Sequence, residues 1–293
     1  MDGSHFWTMP VRKLSRHCFS WNDARIMKFR CLVSLLVVGL AGLTAGVVLA
    51  DEPILEFVDG LRERQYFDTA LESLDAAQQR PELSAEVRDV LDLERAKTLQ
   101  AMGASSRVPE DRELYLQQAK EALQKFTNAH NDHPQAAFAN SMLGELLLER
   151  ARTLIWQADS ADTPDKRTEY QLAARKLIDE GQKIYQTAND QYKAAFAAFP
   201  NFIDKAKDED QFNARLEVEA KYLRAWFNLI RCTYERGQTF DKGSDERKAT
   251  LIKAAGLYEE LHTRYRTNQI GLHARLMMGK CYQEQDDISR ALG

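Results

Sequence analysis

The clearest pattern in the chain is a helical one. Between residues 164 and 199, Tyr170, Ala174, Leu177, Gly181, Ile184, Ala188, Tyr192, Ala195 and Phe199 recur at steps of three or four. Their mean step is about 3.6, the period of an α-helix with one buried stripe. At 1.5 Å per residue such a helix reaches roughly 50 Å, and Gly181 is its weak point near the middle. After residue 50 the prolines Pro53, Pro81, Pro109, Pro134, Pro164 and Pro200 are spaced so that each falls at an expected helix start. There the missing N–H is harmless, whereas inside a helix it is not. The spacing predicts short helices near 54–64 and 66–79, and long ones near 134–158, 164–199 and 208–238. No segment alternates with a two-residue period between turn residues, so no sheet is expected. The expected fold class is all-α.

The helices carry signs of internal repetition, which is sought first in any all-helical array. The segment Leu276-Met277-Met278-Gly279-Lys280-Cys281-Tyr282, followed by Asp286-Asp287-Ile288-Ser289-Arg290-Ala291, resembles the tetratricopeptide repeat, a helix pair of about 34 residues. Met278, Gly279, Tyr282 and Ala291 fall at that repeat's seventh, eighth, eleventh and twentieth positions. The small eighth and twentieth residues let two helices cross closely, and the large seventh and eleventh fill the space beside them. Weaker copies place Ala70 and Ala119 at the twentieth position, Leu143, Gly144 and Leu147 at the seventh, eighth and eleventh, and Trp226 and Leu229 at the fourth and seventh, with Ile230 where a small residue is expected. The resemblance implies a right-handed α-solenoid of antiparallel helix pairs, with some unusually long helices in the middle, over residues 51–293. Because the sequence stops inside a second helix, before a polar capping helix, a truncated or fragmentary product is expected.

The first fifty residues differ in character. Residues 31–49 are nineteen positions without a charge, preceded by Lys28 and Arg30 and followed by the small-x-small pattern Val48-Leu49-Ala50. This is an export signal with cleavage between Ala50 and Asp51, or a retained single transmembrane helix; both send the remainder out of the cytoplasm. Met27 is a plausible true start, which leaves residues 1–26 as a disordered or mis-assigned extension and 27–50 as the signal peptide or anchor. Charge follows the same division. Residues 1–50 hold six basic and two acidic side chains, and 51–293 hold 34 basic and 42 acidic ones. An acidic surplus gives no electrostatic reason to bind nucleic acid.

Chemistry-bearing motifs are scarce. No H-E-x-x-H, G-x-S-x-G, phosphate-cradling glycine loop, EF-hand or C-x-x-C is present. Cys232 and Cys281 read as buried small hydrophobes too far apart to bridge. His130 and His133 in HNDHP read as a turn before Pro134, and the charged run 204–210 as a solvated helix start. Tyr222, Trp226 and Phe227 read as core. No enzymatic activity, cofactor or metal is expected.

The repeat resemblance implies a concave groove lined by the second, fifth, ninth and twelfth positions of first helices. Here these are Arg224, Phe227, Arg231 and Tyr234 in one repeat, and His273, Leu276, Lys280 and Gln283 in the next. Arg224, Arg231 and Lys280 give a basic, aromatic-edged groove suited to an acidic peptide or a C-terminal carboxylate. The expectation is an exported, non-enzymatic protein–protein interaction scaffold, periplasmic or otherwise extracytoplasmic, with cell-envelope assembly as the implied setting. The alternative is the N-terminal docking region of a larger enzyme whose catalytic domain lies beyond residue 293.

Overall fold

The structure, a computed structural model, describes residues 53–292, which belong to one compact unit, Leu49–Gly293. The expected leader at 27–50, its cleavage point at Ala50 and Asp51, and the extension 1–26 lie outside the described residues. Ten helices and no strand occupy the described chain: α1 (Ile54–Glu63), α2 (Phe67–Gln78), α3 (Ala85–Ser105), α4 (Pro109–Ala129), α5 (Ala136–Asp159), α6 (Pro164–Ala197), α7 (Glu209–Gln238), α8 (Asp245–Arg264), α9 (Gln269–Gln283) and α10 (Ile288–Leu292). None is long and apolar enough to cross a membrane.

Local chemistry sets the boundaries. The side chains of Ser84, Thr163, Asp208, Ser244 and Asn268 each accept a backbone N–H in the first turn of α3, α6, α7, α8 and α9, satisfying donors that have no intrahelical partner. Pro109 and Pro164 stand in the first turn of α4 and α6, and Pro53 caps α1. The other prolines are displaced from the expected starts. Pro81 and Pro134 lie in the preceding turns, and Pro200 opens a loop that reaches α7 only at Glu209.

Each helix packs on the next, as expected of a helical repeat. In addition, α1 touches α3, α5 touches α7 and α7 touches α9. These three second-neighbour contacts all join odd-numbered helices, with none of that size between α3 and α5. The two end pairs share one turn geometry. Gln65 between α1 and α2, and Asp286 between α9 and α10, both take a left-handed backbone, φ 63° and 59°. Each is followed by an N–H donated back five residues, Tyr66 to Leu61 and Asp287 to Tyr282. Ala70 and Ala291 stand at the same offset beyond these turns. Ala70 is fully buried, and the Ala291 carbonyl lies 2.9 Å from where a Cβ on Gly279 would stand, so α9 and α10 cross there at contact.

The middle of the array is built differently. Helices α5, α6 and α7 have 24, 34 and 30 residues, and α6 runs unbroken through Gly181. That glycine faces Leu147, Leu148 and the Gly144 carbonyl of α5, and a Cβ on Gly144 would stand 2.8 Å from the Tyr185 ring. The two glycines thus let α5 and α6 close tightly. The buried stripe of α6 is Gln171, Ala174, Ile178, Gly181, Tyr185, Ala188 and Tyr192, steps of three and four that average 3.5. Ile178 and Tyr185 take the core where Leu177 and Ile184 were expected; the latter pair flank it half-buried, and Ala195 is exposed. The shorter period is that of helices running nearly alongside one another over many turns, as in coiled-coil packing.

Candidate partner-binding groove

Side chains from the odd-numbered helices face one another across the inner side of the array. On α7 the residues Lys221, Arg224, Ala225, Asn228 and Arg231 follow steps of three and four and share one face. On α5, Phe138, Ser141, Met142 and Glu145 do the same. Together with Gln100 of α3 and Tyr192 of α6 they enclose a chamber of about 470 Å³.

The floor of this chamber is a hydrogen-bonded charge network. Arg231 donates to Glu145 at 2.7 Å, and the Tyr185 hydroxyl donates to the same carboxylate at 3.1 Å, joining α5, α6 and α7 at one point. Burial pushes the Glu145 carboxyl up, but the Arg231 guanidinium and the bonds from Arg231 and Tyr185 outweigh it and hold it below the usual carboxylate range. Burial, followed by the Glu145 charge, pushes the Tyr185 phenol up, so it stays a neutral donor. The Nε of Arg231 is buried without a partner. Below the network, Cys232 is fully buried, and burial pushes its thiol up to about 12. Nearby, Arg152 donates to Glu235 at 2.7 Å.

The cations at the rim have different fates. Lys221 pairs with Glu217 one turn earlier at 2.6 Å. Arg224 is exposed and, among the described residues, makes no hydrogen bond or ion pair. The amides of Gln100 and Asn228 are likewise without a protein partner.

Of the six groove residues expected from the repeat positions, Arg224 and Arg231 meet in this chamber. Phe227 and Tyr234 do not; they turn toward α9 and are buried, at 8% and 5% exposure. His273 stacks on the Phe227 ring at 5.3 Å, and Lys280 lies over the Tyr234 ring at 5.4 Å. The Tyr234 hydroxyl donates to Glu284 at 3.2 Å, and Arg247, itself buried, donates to the other Glu284 oxygen at 2.6 Å. His273 and Lys280 remain exposed on their outer sides, as do Leu276 and Gln283.

Sequence reasoning did not name Lys221, Asn228, Phe138, Met142 or Glu145. Lys221 and Asn228 were findable, since they sit three and four residues from Arg224 on the same stripe. The Glu145 partner was not, being 86 residues from Arg231.

The remaining chemical motifs resolve simply. His130 and His133 pack their rings on Phe126 at 5.4 and 5.5 Å, and the His133 Nδ1 accepts the Gln135 N–H. Asp208, at the end of the charged run, caps α7. Cys232 and Cys281 are free and buried. Tyr222 stacks between Phe196 and Trp226. Among the described residues no three His, Cys, Asp or Glu side chains gather as a metal site would need.

No family model matches the chain, and no curated protein matches it either.

Proposed function

We propose that this chain is a non-enzymatic interaction scaffold of tetratricopeptide-like, right-handed α-solenoid type. It works outside the cytoplasm and offers its inner face to an acidic protein or peptide partner, with cell-envelope assembly as its setting. The observation that carries this reading is Arg224, an exposed guanidinium without a partner among the described residues, lining a chamber on an acidic domain. Lys221 on α7 and Lys280 on α9 are further exposed cations. This cationic rim contrasts in sign with the −8 net charge of residues 51–293, so it steers an acidic surface to one place on the molecule. Because long packed helices hold the rim fixed, a partner loses little freedom on the scaffold side when it docks.

The test is charge reversal at exposed positions. Arg224→Glu combined with Lys280→Glu in the full chain should weaken binding to an array of acidic decapeptides by at least about tenfold. Unchanged affinity would remove the reading. Arg231→Glu is unsuited to this purpose, since it sets a second carboxylate against Glu145 on a buried floor. N-terminal sequencing of the mature chain tests the export element: a start at Asp51 shows a cleaved signal, a retained 31–49 run in a membrane fraction shows an anchor, and an uncleaved chain in the cytoplasm contradicts export.

A further inference from the structure

The chamber between α5 and α7 carries a narrower chemistry than the rim above it. We propose that it binds a small amphipathic monocarboxylate, with the carboxylate on Arg224 and the apolar body against Phe138, Met142 and Ala225.

Charge sets the count at one. Three cations line the chamber, but Lys221 is already matched by Glu217 at 2.6 Å and Arg231 by Glu145 at 2.7 Å. Only Arg224 brings an uncompensated positive charge. A second negative charge on a ligand, whether another carboxylate or a phosphate dianion, would meet the Glu145 carboxylate with no free cation to balance it. The amides of Gln100 and Asn228, without a protein partner among the described residues, line the same chamber as neutral donors, and a guanidinium with neutral donors in one chamber suits a planar carboxylate.

The walls set the amphipathic character. Phe138 is 41% exposed, although Lys97 covers one side of its ring at 5.4 Å. Met142 is half-buried and adaptable in shape. Ala225 and Tyr192 add further apolar lining. A chamber of about 470 Å³ lies within the size range of small-molecule sites.

Compactness follows from the neighbouring interval. Toward α9 the inner face is filled by His273 on Phe227 and Lys280 over Tyr234. An extended chain continuing from the chamber along the groove would have to displace both contacts. A free acid confined to the α5–α7 space displaces neither.

The inference uses the same inner face as the scaffold reading but not the identity of a protein partner, and Lys280, which does not line the chamber, separates the two. Calorimetric titration of the full chain with octanoate should show saturable binding. Octanamide, of the same shape without charge, and inorganic phosphate should show none, and suberate, with a carboxylate at each end, should bind more weakly than octanoate. Arg224→Gln should weaken octanoate by at least about tenfold, and Arg224→Lys should recover part of that loss. Lys280→Glu should leave octanoate binding within about twofold, while it weakens acidic peptides. Three results overturn the proposal: no heat with octanoate; octanoate binding indifferent to Arg224→Gln, which places the acid elsewhere, including the apolar run 31–49; or Arg224-dependent binding of free peptide C-termini with none of octanoate. The last outcome leaves the scaffold reading standing, whereas loss of acidic-peptide binding alone leaves the chamber standing.

Discussion

The inner face has two successive intervals, α5 to α7 and α7 to α9, and the same helix serves both with opposite results. From α7, Arg224, Asn228 and Arg231 look toward α5, whereas Phe227 and Tyr234, three residues along from Arg224 and Arg231, look toward α9. In the first interval Arg231 and Glu145 meet at one end, and beside them a chamber remains whose Arg224 guanidinium is without a partner among the described residues. In the second the facing side chains meet: histidine on phenylalanine, lysine over tyrosine, and a buried arginine closing the carboxylate that the tyrosine binds. Residues three apart on one helix therefore meet different surroundings. Whether such a residue is available depends on what the next helix brings to it: α9 brings His273 and Lys280 onto Phe227 and Tyr234, whereas α5 brings Glu145 to Arg231 and no partner to Arg224.

The largest effect is expected where the filled interval is broken. Arg247 is buried and donates to the Gly237 and Phe240 carbonyls, the Gln238 amide oxygen and Glu284. Arg247→Met leaves these acceptors facing an apolar chain, and removing one partner from a buried ion pair costs about 3 kcal/mol. Urea denaturation should show that loss, while octanoate affinity at the chamber stays unchanged. A loss confined below about 1 kcal/mol would mean the pair behaves as a surface one and the interval is open after all.

Next in size is a matched pair of glycine substitutions. Gly144→Ala gains helix propensity of about 1 kcal/mol but drives a methyl group into the buried Tyr185 ring, an overpacking cost of about 1–3 kcal/mol. The net expectation is destabilisation by up to about 2 kcal/mol, with weakened chamber binding because Tyr185 holds the Glu145 floor. Gly256→Ala in α8 meets nothing within 4 Å, so it should stabilise by up to about 1 kcal/mol. Equal signs for the two would show that α5 and α6 do not close on Gly144.

The contrast between intervals also explains what was legible in the sequence. Helix existence followed from local pattern: the stripe of α6 and the prolines in the first turns of α4 and α6 act within a few residues. The end turns were legible for the same reason, since Ala70 and Ala291 lie five residues beyond the left-handed Gln65 and Asp286. The stripe register in α6 was off by one residue at Ile178 and Tyr185, because a tight glycine-lined seam with α5 selects a 3.5-residue period that an isolated helix does not show. Arg224 and Arg231 were placed in one groove by the resemblance to the repeat, as its second and ninth positions. That Arg231 is already held and Arg224 is not depends on Glu145, from another helix, and no periodicity encodes that meeting.

The smallest effect probes the chamber floor and turns on pH. Glu145 has a folded-state carboxyl below its ordinary value of 4.5, so its contribution is complete above that pH and disappears as pH falls through the lower folded value. The charged groups facing it are Arg231 and Arg152, and the Tyr185 phenol stays neutral throughout. Glu145→Gln keeps an acceptor for Tyr185 and removes the charge. The carboxylate is 39% exposed on its side chain, so screening limits the stability difference at neutral pH to about 1 kcal/mol. Urea melts of both proteins should show that difference at pH 7 and its decline below pH 4.5; a difference constant down to acid pH would show that the charge pair contributes nothing. The same variant reverses the ligand count. With Glu145 neutral, Arg231 joins Arg224 as a second uncompensated cation, and suberate should gain on octanoate. If the ranking of the two acids does not move, the chamber does not count charges, and the difference between the two intervals is one of shape alone.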